Sequence, residues 1–205
     1  MGYSLGKEDL KLIPLMTSSL SEMVGTMFLV IIGCGTAMQT TDTSTISLAF
    51  GLAVVATVSC TARVSGGHLN PAVSVGLLAG GKLSLLKCFL YLTSQCAGSV
   101  LGAAVLYLVT PPGDRGTLGS NSLGKDVSAG AGLLMEMIIT MLLVMVVYAT
   151  AVDTSNNTSP MLAPVTIGMT VTAANLVLMP FTGTSINPKT KINFINKSKI
   201  KVPYL

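Results

Sequence analysis

Five apolar runs, each long enough to cross a lipid bilayer as a helix, leave this chain little choice of solvent. They fall at about Thr17–Met38, Ser47–Val64, Leu85–Val109, Ala129–Ala151 and Met161–Phe181, with polar punctuation at 39–45, 111–125 and 153–160. A span needs about 20 mainly apolar residues and must satisfy its own backbone hydrogen bonds, so the pattern predicts an all-α membrane protein. Only 10% of the 205 residues are charged, against about 25% in a soluble domain.

The net charge of +4 is local rather than general. Lys189, Lys191, Lys197, Lys199 and Lys201 crowd the last seventeen positions, and the remaining seven basic residues face eight acidic ones, a net of −1. No basic face remains to engage nucleic acid. The cysteines, Cys34, Cys60, Cys88 and Cys96, lie inside apolar stretches and read as small hydrophobes packed between helices rather than as a disulfide or metal framework. No cleavable leader is evident, since Lys7, Glu8, Asp9 and Lys11 precede the first apolar run.

Between the second and third runs, Ser65 to Lys82 is apolar but too short to cross. Gly66-Gly67 loosens the backbone, and Pro71 suits the first turn of a new helix, so Asn70 to Gly80 is predicted as a half-length, re-entrant helix. Such a segment enters the membrane only where protein or a watery cavity shelters its end.

Two glutamates interrupt apolar spans, and each opens the same pattern: Glu22-Met-Val-Gly-Thr26 and Glu136-Met-Ile-Ile-Thr140. Asn70-Pro71 follows Glu22 by 48 residues, and Asn187-Pro188 follows Glu136 by 51. Three spans separate the copies, so the halves enter the membrane in opposite senses, an inverted repeat whose functional site lies where the halves meet. A carboxylate at the centre of a span costs at least about 2.5 kcal/mol and needs partners. With no His, Lys or Arg in those two spans, Glu22 and Glu136 are expected to pin backbone rather than to relay protons.

These segments resemble the aquaporins, the major intrinsic protein family. The likeness covers about residues 15 to 188 and rests on Ser65-Gly-Gly-His-Leu-Asn-Pro-Ala-Val73, the two Glu-x-x-x-Thr openings, Gln95-x-x-Gly98 and Gly183-Thr-Ser-Ile-Asn-Pro188. It implies six tilted spans, two half-helices meeting at mid-membrane, one pore per subunit and a homotetramer. It further implies a passive channel passing water in single file, with Asn70 and Asn187 donating to the water and Pro71, Ala72 and Pro188 shaping the half-helices. The constriction maps onto Phe50, Asn175, Thr184 and Thr190. Phe50 resembles the water-selective members, whereas Asn175 replaces their common His, so glycerol or another small neutral solute stays open as the alternative. His68, the only histidine, is expected to shape the loop beside the pore rather than to sense pH.

After Pro188 the pattern stops. Lys189 and Thr190 stand where the family carries Ala and Arg, and the Lys-rich stretch 189–205 cannot make a span. The expectation is therefore a channel domain over 1–188, with repeats at about 15–110 and 129–188, followed by an unrelated tail. Five spans and one intact half-helix are expected, the second half-helix and sixth span being missing or disrupted. A non-conducting subunit that joins full-length relatives is the corresponding alternative function. Lys7, Lys11, Arg63, Lys82 and Lys87 put the N-terminus and the Asn70 loop in the cytoplasm, in a multi-pass protein expected at the plasma membrane. No catalytic cluster, metal set or cofactor site is legible, and an enzyme is not expected.

Overall fold

The computed structural model describes residues 11–152 and 162–184. Six α-helices follow in order: α1 Leu12–Gln39, α2 Thr43–Ser65, α3 Pro71–Ala79, α4 Leu85–Val109, α5 Ala129–Val147 and α6 Ala163–Thr182. All but α3 are long and apolar enough to cross a membrane, and no strand occurs among the described residues. The spans begin where local chemistry allows. Helix α1 starts five residues ahead of its apolar run, because Pro14 fits a first turn, and α2 starts four ahead, because Asp42 accepts from the Thr45 N–H at 2.8 Å. The α5 run ends in a π-helical turn, Tyr148–Val152.

Burial is inverted relative to a soluble domain. Leu108, Val109, Phe89 and Met145 face outward, while Glu22, Gln95, Glu136 and Asn175 are buried. That is the distribution hydrocarbon demands, with polar groups satisfied inside and apolar ones facing lipid.

Lipid offers no hydrophobic drive between helices, so close backbone approach does the packing. Helix α4 carries Gly98 and Gly102 on the face that meets α1, and a Cβ at Gly98 would collide with the Met23 carbonyl. Helices α2 and α6 cross at two glycines. A Cβ on Gly51 would lie 2.7 Å from the Gly168 carbonyl oxygen, and one on Gly168 would lie 2.6 Å from that of Gly51. Phe50 fills the space left by Gly33 on α1. Gly130 departs from this pattern, since a Cβ there would meet nothing within 4 Å among the described residues outside its own helix backbone, and the cysteines split as well: Cys34 and Cys88 are buried, but Cys60 is exposed on α2.

Helix α3 has nine residues, about 14 Å at 1.5 Å per residue, roughly half the hydrocarbon thickness. Asn70 is its N-cap and Pro71 its first residue, one position inside the predicted limits at each end. The apolar core lies where α2, α3, α5 and α6 meet, around Val58, Leu69, Val73, Leu77, Leu143 and Val171. At its far end α3 rests on α5, where the Tyr148 hydroxyl donates to the Gly76 carbonyl at 3.0 Å.

Candidate functional site

The entry to α3 is built around one carboxylate. Glu22 is fully buried, and its Oε1 accepts from the Ser65 hydroxyl at 2.6 Å and the His68 N–H at 3.0 Å. Its Oε2 accepts from the Leu69 N–H at 2.6 Å and the Gln95 amide at 2.8 Å. Each oxygen thus meets two donors, which is how a carboxylate is kept in a dry interior without a cation. Two of the donors are backbone groups of the loop, so Glu22 fixes the chain path immediately before Asn70.

A second layer supports the first. Gln95 Nε2 also donates to Ser74 Oγ at 3.1 Å, and Ser74 Oγ lies 3.1 Å from His68 Nδ1 in a further hydrogen bond. Tyr91, fully buried, donates to the Ser65 carbonyl at 2.6 Å and meets the His68 ring edge-on. Leu69 takes φ 50°, a conformation uncommon for a non-glycine residue, and the two flanking hydrogen-bond sets hold it there. At the end of this path the Asn70 side-chain oxygen accepts from the Ala72 N–H at 2.8 Å, capping α3.

The second glutamate repeats the arrangement. Glu136 Oε1 accepts from the Thr182 hydroxyl at 2.6 Å, as Glu22 does from Ser65. Gly183 follows with φ 71° where Gly66 has φ 98°, and each closes its helix in the left-handed conformation. The Thr184 N–H then donates to Thr182 Oγ1 at 3.2 Å, matching Gly67 and Ser65 at 3.1 Å. The chain therefore begins a second re-entry in the same hydrogen-bond language. Glu22 thus binds backbone of the loop before Asn70, and Glu136 binds the residue that closes α6.

Of the constriction residues, Phe50 is half-buried on α2 beside the Gly51–Gly168 crossing, and Asn175 is buried two turns along α6 from Gly168. Asn175 spends an amide hydrogen on the Val171 carbonyl of its own helix at 2.8 Å. Thr184 is 6% exposed at the end of α6. Asn187, Pro188, Thr190 and the Lys-rich stretch lie outside the described residues. Sequence reasoning missed Ser65, Ser74, Tyr91 and Thr182 as supports. A signal for Thr182 was there: Ser65 follows Glu22 by 43 residues and Thr182 follows Glu136 by 46, the same three-residue offset as the two Asn-Pro pairs. Among the described residues no His, Cys, Asp and Glu group could hold a metal.

Among the described residues, five spans, a half-length helix and glutamates at matching places in the two halves define an inverted-repeat helical protein, integral to the membrane and multi-pass. The sequence profile of the major intrinsic protein family matches residues 9–193, and the chain belongs to that family. Aquaporin-4 of Mus musculus is 36% identical over 176 residues, covering 82% of this chain and 54% of that protein. Aquaporin-5 of Homo sapiens is 35% identical over 187 residues, 89% of this chain and 70% of that one. The chain spans about half the length of the aquaporin-4 relatives it matches. The X-ray structure of the aquaglyceroporin from Plasmodium falciparum superposes with a TM-score of 0.78 at 24% identity, covering 88% of this chain and 80% of that one, a likeness of fold.

Proposed function

We propose that this protein is a passive channel for water, with Asn70 at the midpoint of the pore. The cap on α3 carries the reading. The Asn70 oxygen accepts from the Ala72 N–H, which fixes the side chain at the entrance of α3, and its amide is the kind of donor suited to the oxygen of a passing water. The start of α3 adds about half a positive charge, which opposes cations, hydronium included. A water held through its oxygen directs both hydrogens outward along the file, and proton hopping past it stops.

Asn187 supplies the second donor by the logic of the repeat. Phe50, Asn175, Thr184 and Thr190 form the narrow region, and the channel domain runs over 1–188, with 189–205 a separate tail. The protein resides in the plasma membrane with a cytoplasmic N-terminus, as a homotetramer or together with full-length relatives. Its partners are water, lipid and those subunits.

One observation favours a second solute. Asn175 is smaller than an aromatic ring and donates to its own helix, so the narrow region is less obstructed there and admits glycerol or a similar neutral molecule.

Reconstitution into vesicles followed by an osmotic step tests both readings. Faster volume change than empty vesicles, with glycerol flux at background, is the expected outcome. A rate equal to empty vesicles overturns conduction, and glycerol flux comparable to water selects the second solute.

A further inference from the structure

The linker between the two repeats, residues 110–128, reaches a place that neither repeat accounts for. Asn121 donates an amide hydrogen to the Thr184 carbonyl at 2.9 Å. Three residues on, the Gly124 N–H donates to the Phe181 carbonyl at 2.9 Å, and Gly124 lies flat against the Pro180 carbonyl where a side chain would collide. Gly183 is enclosed from the same side: a Cβ there would come within 3.2 Å of Asn121 Cα and 3.3 Å of the Ser122 nitrogen. The linker is held in shape by its own turns, Leu118 N–H to the Arg115 carbonyl and Ser120 N–H to the Thr117 carbonyl.

Thr184 is thereby gripped at both backbone groups, its N–H by Thr182 and its carbonyl by Asn121. It also takes φ 58°, a left-handed conformation that a β-branched residue adopts only under constraint. The grip is not redundant. Asn121 Oδ1 and Thr184 Oγ1 are both buried without a hydrogen-bond partner among the described residues, so the Asn121–Thr184 link is a single bond. The first re-entry takes its support from within its own repeat, through Glu22, Gln95 and Tyr91.

We propose that Asn121 is a positioning residue for the narrow region: it holds Thr184 in its strained conformation, and so sets the direction of the Thr184 carbonyl and the width beside it. The proposal rests on the channel reading above. Released from Asn121, Thr184 relaxes toward negative φ, its carbonyl swings, and discrimination between water and larger neutral solutes weakens. The effect expected is about fivefold, the population weight of one neutral hydrogen bond.

Asn121→Leu removes the donor at nearly constant size, and Asn121→Asp removes it while keeping polarity; the second serves if the first does not fold. In reconstituted vesicles the glycerol-to-water permeability ratio is expected to rise roughly fivefold in either variant, as one lost hydrogen bond implies, and to stay unchanged in Ser120→Ala. A second readout does not require conduction. With the four native cysteines replaced by Ser, Thr184→Cys is expected to react with a small methanethiosulfonate about fivefold faster when Asn121 is Leu or Asp. An unchanged ratio together with an unchanged labelling rate overturns the proposal, even if thermal stability falls, since Asn121 would then only anchor the linker. If the unmutated chain conducts no faster than empty vesicles, the channel reading fails while the labelling rates still decide the role of Asn121.

Discussion

Glu22 shows how a single acid organises several residues of loop through charge-assisted hydrogen bonds in a medium without water. Replacing it by Ala leaves the Ser65 hydroxyl, the His68 and Leu69 N–H groups and the Gln95 amide without their acceptor. Each orphaned donor costs about 1–3 kcal/mol, so Glu22→Ala is expected to lose at least about 3 kcal/mol even after relaxation. Glu22→Gln keeps one oxygen but sets an NH2 group against the Leu69 N–H or the Ser65 and His68 donors, and is expected to fall between the two. Thermal unfolding in detergent, followed by the loss of the monodisperse peak, gives the order wild type, Gln, Ala. A Gln midpoint equal to that of wild type, with Ala well below both, would show that volume rather than hydrogen bonding sets the loss. Glu22 and Glu136 were legible in the sequence as a spaced pair of intramembrane acids. The backbone partners of Glu22 were not, because an N–H looks the same at every non-proline position.

At the scale of helices, two glycines that read alike in sequence do opposite things. Gly98 faces the Met23 carbonyl across the α1–α4 crossing with no room for a methyl group, whereas Gly130 opens on empty space in the first turn of α5. Gly98→Ala must push two backbones apart and is expected to cost about 1–3 kcal/mol. Gly130→Ala clashes with nothing and is expected to be neutral, or to gain up to about 1 kcal/mol from helix propensity. Unfolding midpoints of the two variants side by side test this, and a Gly98→Ala midpoint at or above wild type contradicts the packing described. The cap on α2 yields a pH dependence. Hydrogen bonds from the Thr45 side chain and backbone hold the Asp42 carboxyl below its ordinary value of 3.8. A lowered folded-state pKa means that the contribution is complete above 3.8 and is lost as pH falls through the lowered value. The midpoint difference between wild type and Asp42→Ala should therefore stay constant on acidification to about pH 5 and shrink only below the ordinary carboxylate range. A difference that already shrinks between neutral pH and about pH 5 would mean that the cap is not what the Asp42 charge supports.

For the molecule as a whole, the spans and the half-helix were legible because hydrocarbon imposes a length and a composition. The linker's hold on Thr184 was not, because the contact joins residues 63 apart and has no counterpart in the repeat. Spatial neighbours now sort the loops into two ends. Tyr148 meets Gly76 at one end, where α5 finishes and α3 turns back, and Asn121 meets Thr184 at the other. Lys11, Arg63, Lys82 and Lys87 belong to the first end, while at the second Arg115 and Lys125 are outweighed by Asp42, Asp114 and Asp126. Loops rich in Lys and Arg stay cytoplasmic, so the expected orientation has α3 entering from inside and the linker outside. In a background with the native cysteines replaced, Thr41→Cys in the α1–α2 loop is expected to react with an impermeant thiol reagent applied to intact cells. Lys82→Cys, between α3 and α4, is expected to react only after permeabilisation. The reverse pattern inverts the protein and would put the Asn121 linker on the cytoplasmic side. Labelling of both sites from outside would contradict the path itself, because α2 must cross once between them.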